Sequence, residues 1–287
     1  MPDPHKLLTT IRRATEHVRA TPGRAGGVVS LKGASDVMVV GDLHGNLPAF
    51  RKVLKLAALD RQPARHLVLQ ELIHGPAEYP DGGGDRSHQL VDLVAALKCQ
   101  YPDRTHVILG NHELSELTGR IIGKDNETLN AKFYRGIQTA YGGRAGEIFE
   151  AYKALFAALP LAVRTPNRVY ICHTLPDASD LDNLDIGLLA AEVWPAAAMQ
   201  RRGTIYALTW GRDTTPETAD RFAKLVDAEW FITGHQPCDS GFQRANHRQI
   251  IIDGTDPFPA YCLFPADLPV TIESLLECTH LIDFSAG

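Results

Sequence analysis

An α/β fold is what this chain predicts, on three observations. Five short apolar runs alternate with longer stretches of helical periodicity. Each of those five runs ends in a residue able to ligate a metal ion. No internal repeat or composition shift divides the chain, so it reads as one domain over residues 1–287, with a core at about 34–266 and an N-terminal helix at 4–19.

The elements follow in order. Pro4 to Val18 places Leu7, Leu8, Ile11 and Val18 near helical spacing, and a Gly-rich link, Pro22 to Gly27, comes next. Strands are predicted at Asp36 to Val40, His66 to Leu69, Thr105 to Leu109, Arg168 to Cys172 and Trp230 to Thr233. Helices are predicted at Leu47 to Ala58, His88 to Lys98, Glu147 to Ala158 and Pro216 to Val226. Pro76 to Gly84, with Asp81-Gly82-Gly83-Gly84, reads as a flexible loop. Two further strands, Gln249 to Asp253 and Tyr261 to Phe264, flank a turn at Asp256-Pro257.

Composition bounds the function. Of 287 residues, 44% are hydrophobic and 22% charged, enough to bury a core without disulfides. A net charge of -5 with no Lys/Arg cluster argues against nucleic acid as a partner. The five cysteines form no CxxC pair, which suits reduced thiols. The first twenty residues are too polar for a signal peptide, and no apolar run approaches the roughly 20 residues a membrane helix needs. The expected location is the cytoplasm, with no membrane partner.

The chemistry lies at the strand ends. Val37-Met38-Val39-Val40-Gly41 delivers Asp42 and His44, and His66-Leu67-Val68-Leu69-Gln70 delivers Glu71. Val107-Ile108-Leu109-Gly110 delivers Asn111 and His112. Val169-Tyr170-Ile171-Cys172 delivers His173, and Phe231-Ile232-Thr233-Gly234 delivers His235. Ligands gather at the carboxyl ends of strands in α/β folds, because helices cover the sheet faces and leave that edge open. A lone His after a strand is more often a hydrogen-bonded structural residue; five strand ends in succession make a metal centre the economical reading. Oxygen and imidazole donors without thiolate suit manganese, iron or zinc.

Gly41-Asp42-Leu43-His44-Gly45-Asn46, Gly110-Asn111-His112-Glu113 and Gly234-His235 resemble the signature blocks of the calcineurin-like metallophosphoesterases. The GNHE form and Leu208-Thr209-Trp210-Gly211-Arg212-Asp213 resemble the serine/threonine protein phosphatase branch, which includes bacterial members and diadenosine tetraphosphatases. The resemblance implies a two-sheet sandwich flanked by helices, with metals at one edge. It implies one metal held by Asp42, His44 and Glu71, and a second held by Glu71, Asn111, His173 and His235, with manganese favoured. Two metals about 3.5–4 Å apart acidify a bridging water and clamp a phosphoryl group. His112 is then the general acid, and Asn111 also faces the substrate phosphate.

One block departs from the family's pattern, GDxxDRG. Here it reads Gln70-Glu71-Leu72-Ile73-His74-Gly75, with Glu for the bridging Asp, His74 for the second Asp, and no Arg. A spoiled Glu71 and a single metal is the alternative. Asp85-Arg86, after the Gly-rich loop, is expected to supply the missing pair: Asp85 to orient His112, Arg86 to grip phosphate. The alternative is that Asp85 is merely a helix N-terminal residue. Arg212 is a second candidate for the phosphate. His66, His88, His106 and His247 are expected to be packing or surface residues, Glu113 to support its turn, and Trp194, Trp210 and Trp230 to be core. The expected activity is hydrolysis of phosphate monoesters, with a phosphorylated protein as substrate. The alternatives are a small phosphate ester or dinucleoside polyphosphate, or an inactive phosphoprotein-binding module.

Overall fold

The computed structural model describes residues 3–124 and 127–285. Among them the strands are β1 (Arg24–Ala25), β2 (Val28–Ser30), β3 (Asp36–Asp42), β4 (Arg65–Gln70), β5 (Thr105–Ile108), β6 (Gly123–Lys124), β7 (Glu127–Thr128), β8 (Ala162–Arg164), β9 (Val169–Cys172), β10 (Trp230–Thr233), β11 (Phe242–Arg244), β12 (Gln249–Ile252), β13 (Ala260–Pro265) and β14 (Thr279–Leu281). The helices are α1 (Pro4–Arg19), α2 (Leu47–Ala57), α3 (His88–Gln100), α4 (Asn111–Thr118), α5 (Leu129–Tyr141), α6 (Ala145–Phe156), α7 (Thr204–Trp210), α8 (Pro216–Val226) and α9 (Ile272–Glu277).

Two mixed sheets carry the architecture. One runs β1-β2-β8-β9-β10-β12-β11 and the other β14-β13-β3-β4-β5, with β6-β7 as a separate hairpin. Successive side chains on a strand point to opposite faces, and here both faces are buried. Val37 and Val39, Val68, Ile108, Val169 and Ile171, and Ile232 pack into the apolar layer between the sheets. Their neighbours Met38 and Val40, Leu67 and Leu69, Val107, Tyr170 and Cys172, and Phe231 pack outward, into the core shared with the helices. This double burial is why the sequence runs are continuously apolar and not alternating.

The helices were legible from their ends. Asn46 caps α2, accepting from the Ala49 amide, and Thr215 caps α8, accepting from the Thr218 amide. Each has proline in its first turn, where the missing N–H costs nothing. The apolar stripe predicted at the N-terminus is the buried face of α1, with Leu7, Leu8, Ile11 and Val18 against the core. Periodicity and turn signals in the sequence predict neither α4, α5, α7 and α9 nor the strands of two or three residues. No described helix is long and apolar enough to cross a membrane.

The topology gathers five strand ends. β3, β4 and β5 are parallel neighbours in one sheet, and β9 and β10 are parallel neighbours in the other. Their carboxyl ends therefore open toward one edge of the sandwich.

Candidate metal centre

Backbone geometry at this edge departs from the ordinary. The β3–β4 register shifts between Val39 and Asp42, an irregularity of the kind that re-aims a terminal side chain. His44, Glu71, His74 and His235 all have positive φ, at 40°, 44°, 63° and 68°. Non-glycine residues in that region carry strain of order 1–3 kcal/mol each, which the surrounding structure must hold. Two glycines make room for carboxylates. A Cβ on Gly110 would lie 1.7 Å from Glu71 Oε1, and one on Gly234 would lie 2.1 Å from Asp42 Oδ1.

Glu71 is at the centre. Its Oε1 accepts from the His112 amide at 3.1 Å and lies 3.6 Å from His173 Nε2. Its Oε2 lies 3.6 Å from His44 Nε2 and 3.7 Å from His112 Nε2. Two triads of donor atoms result, His44–Glu71–His112 and Asp42–Glu71–His173, and Glu71 belongs to both. The extra methylene of Glu over Asp carries the carboxylate across Gly110, so the longer side chain reaches both groups.

Each imidazole expected to ligate has a ring nitrogen tied to an oxygen. His44 Nδ1 donates to the Ile73 carbonyl at 2.8 Å, leaving Nε2 bare. The His235 ring donates to the Trp210 backbone, and its Nε2 is buried with no hydrogen-bond partner. His173 Nδ1 stands 3.4 Å from Gln70 Oε1, while its Nε2 faces Asn111 Oδ1 at 2.9 Å. Fixing one ring nitrogen on an oxygen is how proteins aim the other at a metal. Asp42 Oδ2 accepts from the His235 amide at 2.8 Å, and its Oδ1 is buried without a partner. Orphaned Asp42 Oδ1 and His235 Nε2, beside a carboxylate shared by two triads, fit divalent cations.

The electrostatics agree in direction. Burial, then the neighbouring acids Glu113 and Asp42, pushes Glu71 well above the usual carboxylate range. Burial likewise raises Asp42, and it lowers His44 and His173 and takes His235 to about 3. Neutral imidazoles are the form a metal needs, and a bound cation is what would hold the crowded carboxylates ionised.

Other expected residues lie differently. Asp85 does not touch His112. Its carboxylate accepts from the Ser87 amide at 2.6 Å, the Ser87 hydroxyl at 2.8 Å and the Gly75 amide at 3.2 Å, so it holds the turn at His74–Gly75. His112 Nδ1 meets His74 Nδ1 instead, at 2.9 Å. Arg86 is exposed, its guanidinium 5.4 Å over the Tyr79 ring. The nine-residue loop before the pair does not carry it back over the site, because Tyr79 itself bonds to His88 at 3.0 Å and anchors the loop on α3. Arg212 is the arginine at the rim: its Nη1 lies 3.5 Å from the His235 carbonyl, and its charge acts on Asp42, His112, His173 and His235.

Glu113 supports its turn as expected, with Oε1 accepting from the Leu72 amide at 2.8 Å. Trp210 is only partly core. Its ring stacks on Tyr206 at 5.6 Å, carries the Arg120 guanidinium at 4.8 Å and presents an edge to His235 at 6.4 Å. Glu116, Arg120 and Asn130 belong to no motif; Glu116 and Arg120 have helical spacing after His112 as their one sequence signal.

Residues 35–239 match the sequence profile of the family described as calcineurin-like phosphoesterase. The chain is 26% identical to the serine/threonine-protein phosphatase PP2A-like PPG1 of Candida albicans over 260 residues, 83% of this chain and 56% of the relative. A probable serine/threonine-protein phosphatase of Encephalitozoon cuniculi is 25% identical over 239 residues, 77% of this chain and 46% of the relative. The chain thus spans about half the length of these curated relatives. A solved structure of a serine/threonine phosphatase from Saccharomyces cerevisiae superposes with a TM-score of 0.67 at 18% identity, over 91% of this chain and 82% of that one. That likeness shows the fold.

Proposed function

We propose that this chain, which belongs to the calcineurin-like phosphoesterase family, hydrolyses phosphate monoesters with two divalent metals and acts on phosphoserine or phosphothreonine proteins. The observation that carries the reading is Glu71, shared by two donor triads and flanked by the orphaned Asp42 Oδ1 and His235 Nε2. The protein half of the reading rests on the relatives, which are serine/threonine phosphatases by name.

Asp42, His44 and Glu71 would hold one metal, and Glu71, Asn111, His173 and His235 the other. When bound, the metals supply charge neutralisation of the phosphoryl group and an acidified water. The chain's own residues supply the rest. His112 Nε2 faces the Glu71 carboxylate from the edge of the cluster, at 3.7 Å, a position from which it can protonate a leaving oxygen. Asn111, the first residue of α4, is buried with its Oδ1 2.9 Å from His173 Nε2. Arg212 brings the positive charge that a phosphate dianion needs at the rim.

The test measures metal content of the purified protein together with turnover of an aryl phosphate, phosphoserine and phosphothreonine peptides, and a dinucleoside polyphosphate, each with manganese. Two metals per chain and preferred turnover of the peptides are expected. One tightly bound ion with full activity at that stoichiometry overturns the dinuclear reading. Preference for the dinucleotide moves the substrate to small molecules, and peptide binding without any turnover makes the chain a binding module.

Arg212→Ala is expected to raise KM and weaken inhibition by free phosphate by about 10-fold, with metal content unchanged, the loss of one charge-assisted contact. Arg86→Ala is expected to leave both constants as in the wild type. The reverse pattern would return the phosphate contact to Arg86.

A further inference from the structure

His74 stands where the family's pattern has an acidic residue, and its surroundings give it a definite protonation geometry. Its side chain is fully buried, with Nε2 2.8 Å from Glu116 Oε1. The same Glu116 oxygen accepts from Asn130 Nδ2 at 2.7 Å. A carboxylate only accepts, so Nε2 of His74 carries the proton in that contact. A neutral His74 then has a bare Nδ1, and the group it faces at 2.9 Å is Nδ1 of His112. That nitrogen must donate. Nδ1–H of His112 is thereby committed to His74, and Nε2 is the nitrogen left toward Glu71.

The scaffold makes the arrangement firm. His112 and Glu116 lie four residues apart on α4, hence on one face, and His74 wedges between them from the loop after β4. The His74 amide donates to Ser87 Oγ at 3.0 Å, and its ring meets Phe133 edge-on at 5.6 Å. Asn130, at the start of α5, closes the chain of contacts behind Glu116.

We propose that His74 and Glu116 are positioning residues for His112, fixing its tautomer and its aim, which rests on reading His112 as the proton donor. In the donor step the bond from phosphorus to the leaving oxygen breaks with its electron pair on that oxygen. The oxygen takes a proton from Nε2 of His112, whose Nδ1–H stays on His74 throughout. No proton moves along the chain, and solvent reprotonates Nε2 between turnovers. Removing His74 leaves His112 free to place its proton on either nitrogen and to rotate.

The test uses two independent readouts. Nitrogen NMR of histidine-labelled, metal-free protein reports the His112 tautomer, assigned by the signals lost in His112→Ala. Steady-state kinetics on aryl phosphates of graded leaving group report kcat and KM. In the wild type His112 is expected as a single tautomer with Nδ1 protonated. In His74→Phe its signals become those of mixed tautomers, and kcat falls ~10–100-fold with KM within about 3-fold, most for the poorest leaving groups. His74→Asn, whose carboxamide oxygen can accept the same proton, is expected to recover most of that loss. Should His74→Phe not fold, Glu116→Leu carries the same expectations. A wild-type tautomer and kcat in these variants overturns the proposal, as does an equal fall in folded His74→Asn and His74→Phe. If the wild type turns over no phosphate ester while the tautomer still changes in His74→Phe, the functional reading fails and the positioning stands.

Discussion

Glu71→Gln is expected to weaken metal binding and to lower turnover by about 100- to 1000-fold, the order seen when a strong electrostatic stabiliser is removed from an active site. The substitution is nearly isosteric, so the space above Gly110 stays filled and the His112 amide keeps an oxygen to donate to at the Oε1 position. What changes is the charge and one acceptor. Oε2 faces the His44 and His112 Nε2 atoms at 3.6 and 3.7 Å, and Oε1 faces His173 Nε2 at 3.6 Å. Replacing one oxygen by NH2 puts a donor where a cation should be, and halves the pair of oxygens that two metals would share. Metal analysis of the variant decides the matter. Two ions retained at wild-type affinity would remove Glu71 from the ligand set, and loss of the only ion from a protein that never bound two would favour a mononuclear site.

His112→Ala is expected to keep its metals and lose about 100-fold or more in turnover, the contribution of a positioned general acid. Its backbone amide, which holds Glu71, is untouched by the change, so the carboxylate stays in place. The loss should shrink for esters whose leaving group departs without a proton, because only the protonation step has been removed. Geometry allows a rival. His112 Nε2 forms a triad with His44 and Glu71, and the two rings meet at 4.7 Å between centroids. A variant that loses metal would therefore make His112 a ligand, and a uniform loss across leaving groups would remove its role as acid.

Much of this was written in the sequence, for a physical reason that holds element by element. A strand buried on both faces must be apolar at every position, so β3, β4, β5, β9 and β10 announce themselves as runs, and the polar residue that ends each run marks where the chain leaves the core. α2 and α8 carry their own boundaries in Asn46 and Thr215, because the first helical N–H groups need an acceptor supplied locally. Asp42, His44, Glu71, Asn111, His112, His173 and His235 follow those runs, and parallel pairing within each sheet brings their carriers to one edge.

What the runs could not say is how strands divide between two sheets, since Val37 and Met38 are equally apolar while facing different cores. Only the tertiary structure decided the partners around the cluster. Asp85-Arg86 lies close to the broken block in sequence, and that proximity misled: Ser87 and Gly75 take the Asp85 carboxylate and Tyr79 takes the arginine. His74, Glu116 and Asn130 meet across three separate elements, and Arg212 reaches the rim from the segment after α7. Periodicity and capping are local rules, so a single chain displays them. The second nitrogen of a histidine and the second oxygen of a carboxylate take whatever partner the packing brings, and that choice exists only once the chain has closed on itself.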